Sequence, residues 1–168
     1  MNPIAYTIPT NVRITKSFVT KFGYDTLAEL NLGNWKIVWQ NNTRSRIGLC
    51  KHENKTIELS SFALERMKDK RDMVDVVLHE IAHAMVGPGN GHGKVWKKAC
   101  IKIGAKPERC IDYDALDRKP TDTKYSYHCK VHGFQFGASR QTKKRYSCVE
   151  CCSTHFNANY LLTKVQNW

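Results

Sequence analysis

Between Val12 and Leu32 the apolar residues Ile14, Phe18, Val19, Phe22, Leu27, Leu30 and Leu32 recur mostly every three or four positions. That spacing predicts one or two amphipathic helices broken near Gly23. The period then shortens. Trp35–Trp39, Arg46–Lys51 and Lys55–Ser60 are short runs rich in β-branched and aromatic residues, separated by Asn41-Asn42 and Glu53-Asn54, and they read as a three-stranded sheet. Ser60-Ser61 can cap a helix running to about Lys70, with Phe62, Leu64 and Met67 as its apolar positions. Asp72 is the expected N-cap of the next helix, which Gly87-Pro88 stops. Its stripe of Val74, Val77, Leu78, Ile81 and Met85 is widened by Val76 and Ala84, so this helix should lie deep in the fold. A glycine-rich loop follows from Gly87 to Gly93, then a helix from about Lys94 to Ile103 that Gly104 ends. Asp117–Thr123 is polar, contains a proline and reads as a linker. The expected fold class is α+β: a body over residues 1–118 and a small Cys/His-rich tail over 119–168.

The deep helix carries chemistry. His79-Glu80-Ile81-Ala82-His83 puts two imidazoles at i and i+4, on one helix face, where both can reach a single metal ion. Zinc held by neutral ligands with one position open lowers the pKa of water to about 7, and Glu80 is placed as the general base that takes its proton. A third ligand decides between this chemistry and a chance pentapeptide. Gly89 stands where a metzincin would place its third histidine, which excludes that arrangement. His92, beyond the glycine-rich loop, is favoured because three histidines leave tetrahedral zinc one open position; Glu108 is the rival, a carboxylate supplied from further downstream.

Seven cysteines, an odd number crowded towards the C-terminus beside histidines, favour metal over disulfides. Cys129-Lys-Val-His132 and Cys148-Val-Glu-Cys151 are two ligand pairs at zinc-ribbon spacing, predicting a second, structural zinc, with His128 and Cys152 as possible substitutes. The isolated thiols Cys50, Cys100 and Cys110 are expected to be buried small hydrophobes. Net charge is +12, and residues 119–168 hold eight Lys/Arg against Asp122 and Glu150, so a polyanion is the expected partner. Lys130, Phe134, Phe136, Arg140, Lys143, Lys144, Arg145 and Tyr146 interleave bases with aromatics, a composition suited to phosphates and stacked, unpaired bases.

The string Val77–Ala84, followed by Gly91-His92-Gly93-Lys94-Val95-Trp96-Lys97, resembles the SprT-like metalloproteases, the group containing bacterial SprT and eukaryotic Spartan. Arg46–Cys50 and Thr56–Ser60 look like the two strands preceding the active helix in that family, and the resemblance covers about residues 10–152. It implies a compact zincin-like body with His79, His83 and His92 as ligands and Glu80 as general base, followed by a zinc ribbon. The family's ribbon usually has four cysteines, and this chain departs from it at His132. Zincins commonly bind substrate by adding it to an edge strand, for which Thr56–Ser60 is the candidate here; Tyr113 and Tyr125 are candidates for oxyanion stabilisation, although packing is the commoner use of such residues.

The expected function is therefore a zinc endopeptidase with two zinc ions, acting on proteins bound or crosslinked to DNA, single-stranded or at junctions. The alternative is a zinc-stabilised nucleic-acid-binding protein without protease activity. The N-terminus has no basic and apolar leader pattern and no run of 18 apolar residues occurs, so an intracellular monomer without membrane attachment is expected.

Overall fold

The computed structural model describes residues 11–41, 46–108, 116–117 and 119–168. The chain divides into two compact units, Met1–Asp117 and Arg118–Trp168.

The first unit opens with α1 (Lys16–Glu29), whose Thr15 hydroxyl accepts the Phe18 N–H at 3.1 Å and so satisfies one of the unpaired donors of the first turn. The helix does not break at Gly23. A Cβ there would collide with Ile37 and lie 3.1 Å from Val77, so the glycine marks close helix packing rather than a stop. Three strands follow: β1 (Lys36–Gln40), β2 (Gly48–Lys51) and β3 (Thr56–Ser60). Their order is β1-β3-β2, with β3 parallel to β1 and antiparallel to β2. Thr56–Ser60 is thus the central strand, which overturns its reading as an edge. β2 folds back on one side of β3 while β1 pairs on the other, and Ile57 and Leu59 are fully buried. The edge nearest the histidine helix is β2.

Helix α2 (Ser61–Arg66) is shorter than its apolar pattern suggests, because Met67 turns to extended backbone and bridges to Leu116. Helix α3 (Asp72–Val86) buries Met73, Val74, Val76, Val77, Leu78, Ile81, Ala82 and Ala84, each of the large ones contributing about 1.5–3 kcal/mol. Asp72 is its first helical residue, not its cap. The cap position is Arg71, in helical backbone and making no side-chain capping bond, and Asp72 and Asp75 instead place negative charge at the positive end of the helix. Gly87 ends α3 at φ 77°, and α4 (Lys94–Lys102) then buries Trp96 completely.

In the second unit β4 (Tyr125–Cys129) is central between β5 (Gly133–Ala138) and β6 (Thr163–Gln166), both antiparallel to it. Residues 119–123, expected to be a linker, are folded into this unit. Pro120–Asp122 forms a single 3₁₀ turn, the Asp122 carboxylate accepts the Lys119 N–H at 2.7 Å, and the Asn167 side-chain amide donates to Pro120 and Thr123 carbonyls. β6 has no counterpart in the sequence pattern, since all four of its residues are exposed and carry no alternation to read. Among the described residues no helix is long and apolar enough to cross a membrane.

Candidate metal centres

His79 and His83 come from successive turns of α3, and the chain must reverse to bring His92 to them. Gly87, Gly89 and Gly91 all have positive φ, and the Asn90 side-chain amide donates to the Val86 carbonyl at 2.6 Å, tying the loop to the end of the helix. The three rings converge through Nε2: His92 lies 3.1 Å from His79 and 3.2 Å from His83. Two nitrogens bound at 2.0–2.1 Å to one tetrahedral ion stand about 3.3 Å apart, so this donor set fits zinc. Trp96 is the floor beneath all three, with ring centroids 4.6, 5.3 and 4.6 Å from His79, His83 and His92. Burial, reinforced by the neighbouring imidazoles, pushes His79 and His83 down to about 4, which keeps both rings neutral and available as ligands at neutral pH. Glu108 is exposed and is not among the atoms gathered.

Glu80 follows His79 but points towards β2. Only 7% of it is exposed, and burial raises its carboxyl to about 7 against the opposing effect of a hydrogen bond from the Cys50 N–H. Cys50 is half-buried rather than enclosed, its thiol pushed up to about 12 by burial and then by the Glu80 charge. Cys100 is fully buried, as expected for an inert thiol, while Cys110 and Tyr113 lie outside the described residues. Tyr125 is buried in β4, where its ring receives Lys124 and Lys164.

The second unit gathers Cys129, His132, Cys148 and Cys151. His132 Nδ1 is 3.5 Å from the Cys148 and Cys151 sulfurs and 3.8 Å from Cys129, and the Cys129 and Cys151 sulfurs are 3.7 Å apart. Thiolates at about 2.3 Å from a tetrahedral ion predict sulfur–sulfur separations of about 3.7 Å and sulfur–nitrogen separations of about 3.5 Å. The backbone N–H groups of His132 and Val131 pull the Cys129 thiol down to about 6, favouring the ligating thiolate. His128 is engaged elsewhere, with Nε2 2.8 Å from the Ser126 hydroxyl, and Cys152 lies outside the cluster.

Lys130, Arg140, Lys143, Lys144 and Arg145 are exposed, whereas Phe134, Phe136 and Tyr146 are only partly so. Phe136 stacks on Tyr127 at 4.6 Å, Tyr146 meets both rings edge-on, and Phe134 tilts against His128. More open aromatic surface comes from Phe156, Tyr160 and Trp168, which sequence reasoning passes over because they stand outside the basic run. Gly48 escapes it as well, since its importance lies only in what packs over it.

The SprT-like family model matches residues 14–115. This chain belongs to the SprT-like family. For a SprT-like chain, the convergence of His79, His83 and His92 supports a zinc metalloprotease. No curated protein matches it. Among solved structures, the metallopeptidase zymogen of Methanocaldococcus jannaschii jannalysin is similar at 20% identity, covering 54% of this SprT-like chain and 79% of its own, with a TM-score of 0.43.

Proposed function

We propose that this SprT-like chain is a zinc-dependent endopeptidase that cleaves proteins held on DNA. His79, His83 and His92 hold the catalytic zinc, and Cys129, His132, Cys148 and Cys151 hold a structural one. The observation that carries the reading is the aim of three imidazoles at one point, with Glu80 on the adjoining face of the same helix. Bound zinc supplies Lewis acidity to the scissile carbonyl and to the attacking water. Glu80 accepts the proton from that water and delivers it to the leaving amine; a carboxyl near 7 serves both steps at neutral pH. The outer edge of β2 is where an extended substrate segment adds as a further strand, beside Glu80. Trp96 keeps water from the inner side of the ligands and fixes their ring planes.

The DNA part of the reading rests on charge. Arg140, Lys143, Lys144 and Arg145 are exposed on one short excursion of the second unit, and the chain as a whole carries +12. The test incubates zinc-loaded protein and its Glu80→Gln variant with a DNA-binding substrate protein, with and without single-stranded DNA. Cleavage that needs Glu80 and rises with DNA is the expected result. Equal product from the two variants overturns the mechanism, and cleavage indifferent to DNA overturns the substrate class.

A further inference from the structure

Glu80 is held from the side of the sheet, and the strand that holds it has a gap cut for it. Gly48 is the first residue of β2, paired with Leu59 of β3, and its φ is not one that demands glycine. Glycine in a strand is otherwise a cost, because it loses entropy on folding and packs no side chain. What requires it here is space. A Cβ at position 48 would lie 2.6 Å from Glu80 Oε1, 2.9 Å from Glu80 Cγ and 2.9 Å from Val76 Cγ1. Two residues along the same strand, the Cys50 N–H donates to the Glu80 carboxylate.

We propose that Gly48 is a positioning residue for the reaction: its missing side chain is the berth that lets the Glu80 carboxylate lie against β2, and so fixes where the base stands relative to His79 and His83 of the same helix. The inference rests on Glu80 being the general base. Any side chain at 48 must displace something, and the neighbours differ in how readily they yield. Val76 is 4% exposed on a packed helix, so it moves little. Glu80 is itself only 7% exposed, but it is the longer side chain, with three rotatable bonds, and two of the three close approaches fall on it, so its carboxylate gives way first. Substitution therefore spares the fold and moves the base. Because the Cys50 N–H holds the carboxylate in this gap, displacement also breaks that second hold. A purely structural glycine makes a different forecast: alanine costs stability through Val76, equally whether or not Glu80 is present, and turnover is unaffected.

The test compares wild type, Gly48→Ala, Glu80→Ala and the double variant as zinc-loaded full-length chains. Gly48→Ala is expected to keep its zinc, to leave KM within about twofold and to lower kcat on the order of 100-fold, the scale expected for a reacting group misplaced by about 1 Å. Melting temperature supplies a readout independent of turnover. The shift caused by Gly48→Ala should be clearly smaller in the Glu80→Ala background, where two of the three close approaches are gone. Unchanged kcat together with equal melting shifts in both backgrounds overturns the proposal. If the wild type itself cleaves nothing, the endopeptidase reading fails instead, and the melting coupling still decides whether Gly48 and Glu80 share one space.

Discussion

The two candidate metal clusters gather their donors at similar distances on very different supports. In the first unit three imidazoles come from a long helix and the loop after it, they are seated on a buried tryptophan, and a carboxylate stands on the adjoining helix face. In the second unit four ligands come from two short turns that share little core, and the carboxylate beside them, Glu150, is exposed and accepts a hydrogen bond from the Gln135 side chain. A helix that is already packed can leave one coordination position free, because the fold does not depend on the ion. A fragment with few buried apolar residues needs every position filled to hold its turns together. The contrast teaches that ligand count alone is a weak guide to role, whereas what supports the ligands is a strong one.

The sharpest way to break this contrast is to remove one ligand from each cluster. His92→Ala should reduce cleavage to background and release the zinc of the first unit, while its helices persist, as read by circular dichroism and metal content. Cys148→Ser should instead unfold residues 118–168, seen as rapid proteolysis of that segment, because structural zinc contributes on the order of 10 kcal/mol to folding of such fragments. If His92→Ala unfolds the first unit, the division of roles is wrong.

A smaller effect comes from acid. His79 and His83 titrate near 4 when folded and near 6.5 when unfolded, so the stability they contribute is present above 6.5 and lost as pH falls towards 4. Glu80, raised to about 7, has the opposite sign: its contribution is complete below its ordinary value near 4.5 and lost as pH rises through 7. Two groups outweigh one, so the metal-free chain should become less stable from pH 6.5 to pH 4.5, with unfolding taking up about one net proton from these three groups. Denaturant titrations across that window check it, and a rise in stability would refute the assignment. The smallest effect concerns the basic excursion. Replacing Lys143, Lys144 and Arg145 with alanine should lower the slope of log affinity for single-stranded DNA against log salt by about 0.7 for each phosphate no longer neutralised. An unchanged slope removes these residues from the DNA surface.

Much of this molecule is legible in its sequence, and what escapes does so for physical reasons. The helix with His79 and His83 is bounded by glycine and built on a wide apolar stripe, so local pattern and tertiary burial agree. Cys129, His132, Cys148 and Cys151 sit at spacings that only tight turns explain, and those turns form. Strand order is another matter. β3 and β2 are both short, and nothing local to Thr56–Ser60 says that β1 will pair on its far side. Gly23 looks like a helix breaker until Ile37 and Val77 are seen to press on it. Gly48 carries no signal at all, because its role belongs to Glu80. β6 joins its sheet through backbone hydrogen bonds that leave no trace in an exposed Thr-Lys-Val-Gln run.

The central claim is one open and one closed coordination sphere in the same chain. Cobalt replaced for zinc reports on both, since thiolate ligands give strong charge-transfer absorption and a histidine site with an exchangeable position responds to an added hydroxamate. The account predicts two cobalt ions per chain, with hydroxamate perturbing only the bands that His92→Ala abolishes and leaving the thiolate bands untouched. A chain whose histidine-bound cobalt ignores hydroxamate, or whose thiolate bands shift with it, contradicts the account.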